Sequence, residues 1–382
     1  MKIFHVITSL KIGGAEKALL NFLQKSINDK NEHIIAYFYP GPILKKIIKL
    51  GFKTYQIKGL FFKYDFFAFY KLKKTIKKNK PDIIHSSLWS ANFLSKIIAK
   101  SLGIPIICDL HSNFMYDGKI RRLIENLTLL KADKYVAVSY SVKEGFLSSF
   151  KKKFKKLEPK ITVIPNAINI DNIKNQKQKL KRKDLGFNKN DFIIGAVGRL
   201  EKIKSYDLLI KSFAQVLSKI KKINSLNKNL DYLKPIKLCI VGDGSEKSYL
   251  EDLTKKLDIQ KDVTFTGIRN DINQLYPLFD CLCISSKSEG LSIVLLEALS
   301  FGLPIITTSQ TEKHDVIINN KNGLIVPTKN IEKFSTAIES LYLNPNLIKK
   351  ININNKKLAS QKFCIDRLIK QYDSLYQKLL AK

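Results

Sequence analysis

The sequence predicts an α/β protein made of two doubly wound, parallel-sheet domains in tandem. Apolar runs of strand length alternate with helix-periodic segments, the pattern of βα units joined into a parallel sheet. The alternation occurs twice, on either side of a lysine-rich stretch at 172–183 that reads as a linker. The chain of 382 residues also exceeds the size at which one core stops growing. A hydrophobic share of 45% with 11 prolines is that of a globular protein.

Residues 3–8 (IFHVIT) form a first strand, followed by a turn carrying Gly13 and Gly14 and then the helical pattern KALLNFLQ. Glycines between a strand and a helix let the backbone approach a ligand, with helix amides behind them. The turn lacks the full G-x-G-x-x-G dinucleotide fingerprint, so nothing here supports a nicotinamide enzyme. A plain βα turn is the competing reading. A second strand occupies 33–39. The span 43–80 then holds twelve lysines, one acid and, between 61 and 70, seven aromatics. Aromatics beside a lysine-rich helix suit an anionic bilayer surface, unless they fill the core behind a solvated basic helix. Strands follow at 81–90 and 103–113, the second ending at His111. Ligands bind just past the carboxyl ends of strands in such sheets, although a lone His is more often structural. Residues 131–146 add a strand with Ser139 and Ser141 placed to cap the next helix. The segment 161–171 ends this half at the turn of Pro165 and Asn166.

The second half opens at 192–213 with a strand ending at Gly198, then Arg199 and Lys204, then an amphipathic helix. Arg offers a planar fork for phosphate oxygens and Lys a mobile point charge. Among 67 basic residues, two more are weak evidence by themselves. A polar extension at 219–236 leads to a strand, a Gly-Asp-Gly loop and a helix within 237–253. Residues 263–280 carry a strand, Gly267 and Arg269, and 323–327 a last strand before the closing helices.

The most informative stretch is 281–308, CLCISSKSEGLSIVLLEALSFGLPIITT. It reads as strand, polar loop, helix over about 291–300, a turn at Gly302 and Pro304, and strand. Glu289 and Glu297 bracket the helix start, roughly 10–12 Å apart along the axis at the usual rise per residue. A helix N-terminus between them attracts phosphate. A ligand with a sugar, a central diphosphate and a ribose fits that arrangement. On the alternative reading Glu289 is a solvated loop residue and Glu297 lies on the water face of the helix.

The run E-G-L-S-I-V-L-L-E-A-L-S-F-G-L-P-I-I resembles the E-x7-E segment of retaining GT-B glycosyltransferases, family 4 group (glycosyl transferases group 1), of the bacterial surface-polysaccharide type. The elements G-G-x-E after the first strand and G-R-L-x-x-x-K after Val197 are similar to that family's motifs as well. The resemblance is strongest over 192–308 and weaker before 110. It implies a GT-B fold, two Rossmann-like domains facing across a cleft. The expected bounds are 1–168 for an acceptor domain, 169–185 for a linker, 186–361 for a donor domain and 362–382 for a helix crossing back. It implies transfer from a nucleoside diphosphate sugar, expected to be UDP-linked, to a hydroxyl of a glycan or lipid-linked acceptor. The implied donor site comprises Gly13, Gly14, Arg199, Lys204, Glu289, Gly290, Leu291, Ser292 and Glu297. Arg199 and Lys204 would clamp the diphosphate, Glu289 would hold sugar hydroxyls and Glu297 the ribose. His111 would lie next to the donor sugar, completing a catalytic set with Glu289, Arg199 and Lys204. The base is expected near 267–270. Ser205 replaces the Gly that usually follows the motif Lys, which puts the local turn in question. No D-x-D-like element stands at a phosphate site, so no metal or other cofactor is expected. A nucleotide-sugar epimerase or phosphorylase on the same fold is the nearest alternative.

The formal charge of +34 attracts anionic membranes, nucleic acid or phosphorylated substrates. The basic residues are spread along the chain and form no known nucleic-acid module, so a nucleic-acid-binding protein is the disfavoured alternative. The five cysteines lie mostly in apolar runs without a CxxC pair, as reduced buried thiols do. No run of 18 apolar residues occurs, and the N-terminus reads as a strand rather than a signal peptide. The expectation is a cytoplasmic protein held peripherally at the inner face of the plasma membrane through 43–80.

Overall fold

The computed structural model describes residues 1–59, 66–112, 114, 118–170, 177–226, 234–309 and 316–381. The chain divides into a first unit, Met1–Asn169 with Phe363–Lys382, and a second, Ile170–Lys362.

The first unit holds strands β1 (Lys2–Ser9), β2 (Glu32–Tyr39), β3 (Lys53–Gln56), β4 (Ile83–Ser87), β5 (Ile106–Leu110), β6 (Lys134–Ala137) and β7 (Ile161–Val163). They form one sheet in the order β3-β2-β1-β4-β5-β6-β7, with every pairing parallel. Its longer helices are α1 (Gly14–Lys25), α2 (Pro42–Lys49), α3 (Phe66–Asn79), α4 (Trp89–Leu102), α5 (Lys119–Thr128) and α6 (Tyr140–Ser149). Strands such as β1 and β4 are buried along almost their whole length, because a parallel sheet is covered on both faces.

The second unit holds β8 (Phe192–Val197), β9 (Ile236–Val241), β10 (Val263–Phe265), β11 (Cys281–Ile284), β12 (Ile305–Thr308) and β13 (Leu324–Val326). Their order is β10-β9-β8-β11-β12-β13, again all parallel. The longer helices are α7 (Tyr206–Leu226), α8 (Lys247–Lys256), α9 (Ile293–Phe301), α10 (Ile331–Leu343) and α11 (Pro345–Lys362). The last helix, α12 (Ile365–Leu380), returns to the first unit and packs beside α1. It is tied there by Ile365 N to Ile168 O (3.1 Å), Arg367 Nη2 to Pro165 O (2.7 Å) and the ion pair of Lys25 with Asp366.

In both sheets the winding reverses next to the first strand, between β1 and β4 and between β8 and β11. A crevice opens at the strand carboxyl ends at such a reversal, which is where doubly wound sheets bind ligands.

Three sequence expectations change. The span 43–80 is not one basic helix but α2, β3 and α3. The strand KTYQ is short and polar because it lies at the sheet edge, so periodicity did not reveal it. Its aromatics at 61–65 lie outside the described residues. Helix α9 begins at Ile293 rather than 291, because Ser292 keeps an extended backbone (φ −68°, ψ 124°). Part of the lysine-rich linker is fastened to the second unit: Lys179 N donates to Gln274 Oε1 (2.6 Å) and Gln178 Nε2 to Gln274 O (2.8 Å). All five cysteines are unbridged, four of them buried. Among the described residues no helix is long and apolar enough to cross a membrane.

Ser205, entering α7, adopts the left-handed conformation (φ 49°, ψ 47°), and its buried hydroxyl has no hydrogen-bond partner. That conformation costs a non-glycine residue about 1–2 kcal/mol. Ser205→Gly should therefore stabilise the second unit by about 1 kcal/mol after the entropy cost of glycine, raising its melting temperature by roughly 2–4 °C. An unchanged or lower melting temperature would show that this turn is not strained.

Candidate active site

The carboxyl edge of the second sheet is a stack of tight turns. Gly198 N donates to Val241 O (3.0 Å), Leu200 N to Asp243 O (2.9 Å) and Gly242 N to Gly267 O (2.9 Å). A Cβ on Gly242 would lie 1.9 Å from Gly198 O, and Gly242 has φ +141°, so glycine alone fits this crossing. The Gly-Asp-Gly loop therefore meets a packing need of its neighbour.

The loop after β11 folds back onto the turn after β8. Ser285 Oγ donates to Lys204 O (2.8 Å) and Lys287 N to Ile203 O (2.8 Å). Within that loop Ser286 Oγ donates to Glu289 Oε1 (2.9 Å), and the same oxygen forms an ion pair with Lys204 Nζ. Two residues 85 positions apart in sequence thus meet where the strand order reverses. A small pocket is lined there by Val197, Lys204, Tyr206, Ser286, Glu289 and Ser292. Burial, and then the Glu289 charge, push the Tyr206 hydroxyl up, so it remains a neutral donor. Gly290 leads from Glu289 to the buried Leu291, and Ser292 opens α9, whose first turn carries no acidic side chain. The positive end of that helix dipole is not offset by its own residues.

Arg199 is exposed on the same edge and is not among the residues lining that pocket. Glu297 is only 3% exposed, on the inward face of α9. Its Oε2 accepts a hydrogen bond from the buried Tyr276 Oη (2.7 Å). The alternative of a solvated Glu297 on an amphipathic helix does not hold, because α9 is apolar nearly all round. In the region expected near the base, Arg269 is held by Asp271 through Nε (2.9 Å) and Nη2 (2.6 Å).

At the carboxyl edge of the first sheet, Gly13 caps α1 with extended backbone. The Glu16 carboxylate folds back beneath it, accepting from Ser9 Oγ (2.6 Å) and lying 2.3 Å from where a Gly13 Cβ would stand. A Cβ on Gly14 would meet nothing within 4 Å. His111 follows β5, with Nε2 3.7 Å from Oδ2 of the buried Asp109. Asp109 also accepts from Ser87 Oγ (2.9 Å) and Tyr372 Oη (3.0 Å). Burial opposes its ionisation, but the His85 charge and the ring nitrogens of His111 and His85 nearby hold it far below the usual carboxylate range.

Within the second unit the expected residues Lys204, Glu289 and Ser292 share one pocket, while Arg199 and Glu297 stand apart from it. Sequence reasoning missed Ser286, Tyr206, Tyr276 and Asp109. Asp109 alone had a readable signal, since alternate positions on an extended strand share a face with His111.

The chain matches the Glycosyltransferase Family 4 domain over residues 12–172 and the Glycosyl transferases group 1 domain over 177–358. An uncharacterized glycosyltransferase of Haemophilus influenzae is 28% identical over 97% of this chain and 98% of its own. An α-1,4-N-acetyl-D-galactosaminyltransferase of Campylobacter jejuni, whose name specifies a PP-undecaprenol-linked acceptor, is 27% identical over 97% of each chain. The crystal structure of Anabaena HepE in complex with UDP-glucose is similar with a TM-score of 0.84 at 19% identity, covering 99% of this chain and 100% of that one. With these two domains on its two parallel sheets, the protein is a GT-B glycosyltransferase of the family 4 group.

Proposed function

We propose that the protein transfers a sugar, with retention of anomeric configuration, from a UDP-sugar to a hydroxyl of a glycan or lipid-linked acceptor in cell-surface polysaccharide synthesis. The observation that carries this reading is the ion pair of Lys204 and Glu289 at the strand-order reversal, beside the start of α9. The UDP-glucose bound by HepE and the PP-undecaprenol acceptor named for the Campylobacter relative support it.

The physical problem is negative charge growing on the departing diphosphate. Arg199, Lys204 and the helix start at Leu291 and Ser292 would stabilise that charge, each such contact being worth about 3–4 kcal/mol of barrier. Lys204 is paired with Glu289. Donor binding would turn Lys204 toward phosphate and leave Glu289 to accept from sugar hydroxyls. Gly290 would let the backbone approach the donor, and Glu297, steadied by Tyr276, would take the ribose. In the first unit His111 is assigned to the transferred sugar and the turn of Gly13 and Gly14 to the donor. The departing phosphate oxygen would take the acceptor's proton on the face it leaves. No step in this reading uses a metal or other cofactor.

The positive charge is assigned to an anionic membrane rather than to nucleic acid, which places the protein peripherally at the inner face of the plasma membrane. On α3, Phe67 is 69% and Tyr70 61% exposed, among the exposed Lys71, Lys74 and Lys77. Aromatic and lysine side chains side by side suit an anionic lipid interface.

A screen of UDP- and GDP-sugars with lipid-linked acceptors should release UDP only when acceptor is present, and product NMR should show the donor's anomeric configuration. Release without acceptor, or an altered free nucleotide sugar, would favour a phosphorylase or an epimerase. Arg199→Ala should lower turnover about a hundredfold or more; a near-wild-type rate would remove Arg199 from the diphosphate. The double variant Phe67→Ser, Tyr70→Ser should sediment less with vesicles containing anionic lipid, and equal binding of the native protein to neutral vesicles would end the membrane assignment.

A further inference from the structure

Three histidines and an aspartate form a buried row across four strands of the first sheet. His5 of β1 pairs in register with His85 of β4, and Ser87 of β4 with Asp109 of β5. His33 of β2 joins the other end, its Nδ1 2.9 Å from His5 Nε2 and its Nε2 3.4 Å from Asp29 Oδ2. Ring centroids are 5.2 Å apart from His33 to His5 and again from His5 to His85. The row lies on one face because in-register residues of neighbouring strands share a face, and so do residues two positions along, which is the offset of His33 from His5 and of Asp109 from His85.

Helix α12 lays two tyrosines over the row. Tyr376 Oη is 2.7 Å from His85 Nδ1, and Tyr372 Oη donates to Asp109 Oδ1 (3.0 Å). The other oxygen, Oδ2, accepts from Ser87 Oγ and lies 2.9 Å from His85 Nε2 and 3.7 Å from His111 Nε2. A buried carboxylate is costly unless it is fully bonded, and this one is gripped from β4 and α12 together. Burial pushes the His5 and His33 imidazoles below their ordinary range, whereas Asp109 is held ionised. His111 stands just past the carboxyl end of β5, next to Asp109.

We propose that Asp109 is a positioning residue for His111, its carboxylate locked by Tyr372, Ser87 and His85 so that Oδ2 holds the Nε2–H of the His111 ring. This rests on the assignment of His111 to the transferred sugar. A carboxylate beside one ring nitrogen fixes the tautomer and therefore what the other nitrogen presents. A separation of 3.7 Å is longer than a hydrogen bond, and such contacts in ligand-free sites tighten when substrate binds. The arrangement makes α12 part of the site's support: a hydroxyl near the end of the chain fixes the group that orients His111.

The test uses the full chain with labelled histidine side chains, reading the ring-nitrogen resonances by NMR in alkaline buffer. The native protein should show His111 as the Nε2–H tautomer. Asp109→Asn should move His111 away from that tautomer, and Tyr372→Phe, which removes a single hydroxyl and keeps the ring packing, should do so partially. The His5 and His33 resonances, staying in place, report that the row is intact. Turnover of the donor found in the screen should fall about 10- to 100-fold in Asp109→Asn with little change in donor KM. In a His111→Ala background the same substitution should cost nothing more. A His111 tautomer unchanged in both variants overturns the proposal. Should the tautomer shift while His111→Ala retains full turnover, the positioning stands and the role given to His111 is what fails.

Discussion

Parallel pairing of all the described strands is the constraint on which the rest of this protein depends. It brings every carboxyl end of a sheet to one edge and starts every following helix there. The turn after β8, the loop after β11 and the start of α9 meet for that reason alone. Close meeting needs small residues, and the second sheet meets the need with Gly242, which passes against the Gly198 backbone, and Gly244, which passes against that of Leu200. The motif chemistry is thus secondary to a packing solution: the edge is first made narrow, then given charged side chains.

The charges on that edge are arranged in pairs that hold each other in reserve. Lys204 and Glu289 are both partly exposed, at 22 and 15% of their side chains, so neither carries the full burden of a buried ion. An anion can draw the lysine away at modest cost. Glu297 contrasts with this, for its carboxylate is sealed inside α9 and gripped by Tyr276. The two glutamates look equivalent in the sequence but differ in burial, one partly exposed in an ion pair and the other sealed in the core against a tyrosine.

Much of this was legible in the residues themselves. Strands such as β1, β8 and β11 are continuous apolar runs because both sheet faces are covered; turns with Gly13 and Gly198 follow the first two, and Gly302 ends α9. The edge strand β3 was not legible, because four half-exposed residues carry no periodicity. Nor was the lysine-rich stretch legible as partly ordered, since its anchor, Gln274, lies almost a hundred positions away. The partners Tyr206 and Tyr276 look like ordinary core aromatics, and only coordinates show where their hydroxyls end. Asp109 was readable from its spacing to His111, but its tether to Tyr372 spans 263 positions and leaves no local trace.

The first unit is assembled from two pieces of chain that the whole second unit separates. During synthesis the second unit, an unbroken segment, emerges and can close while α12 is still inside the ribosome. Until α12 emerges, the face bearing His5 and His85 lacks its lid. A nascent chain can therefore carry a closed second unit while the first is still open, and α12 is the element that completes the first.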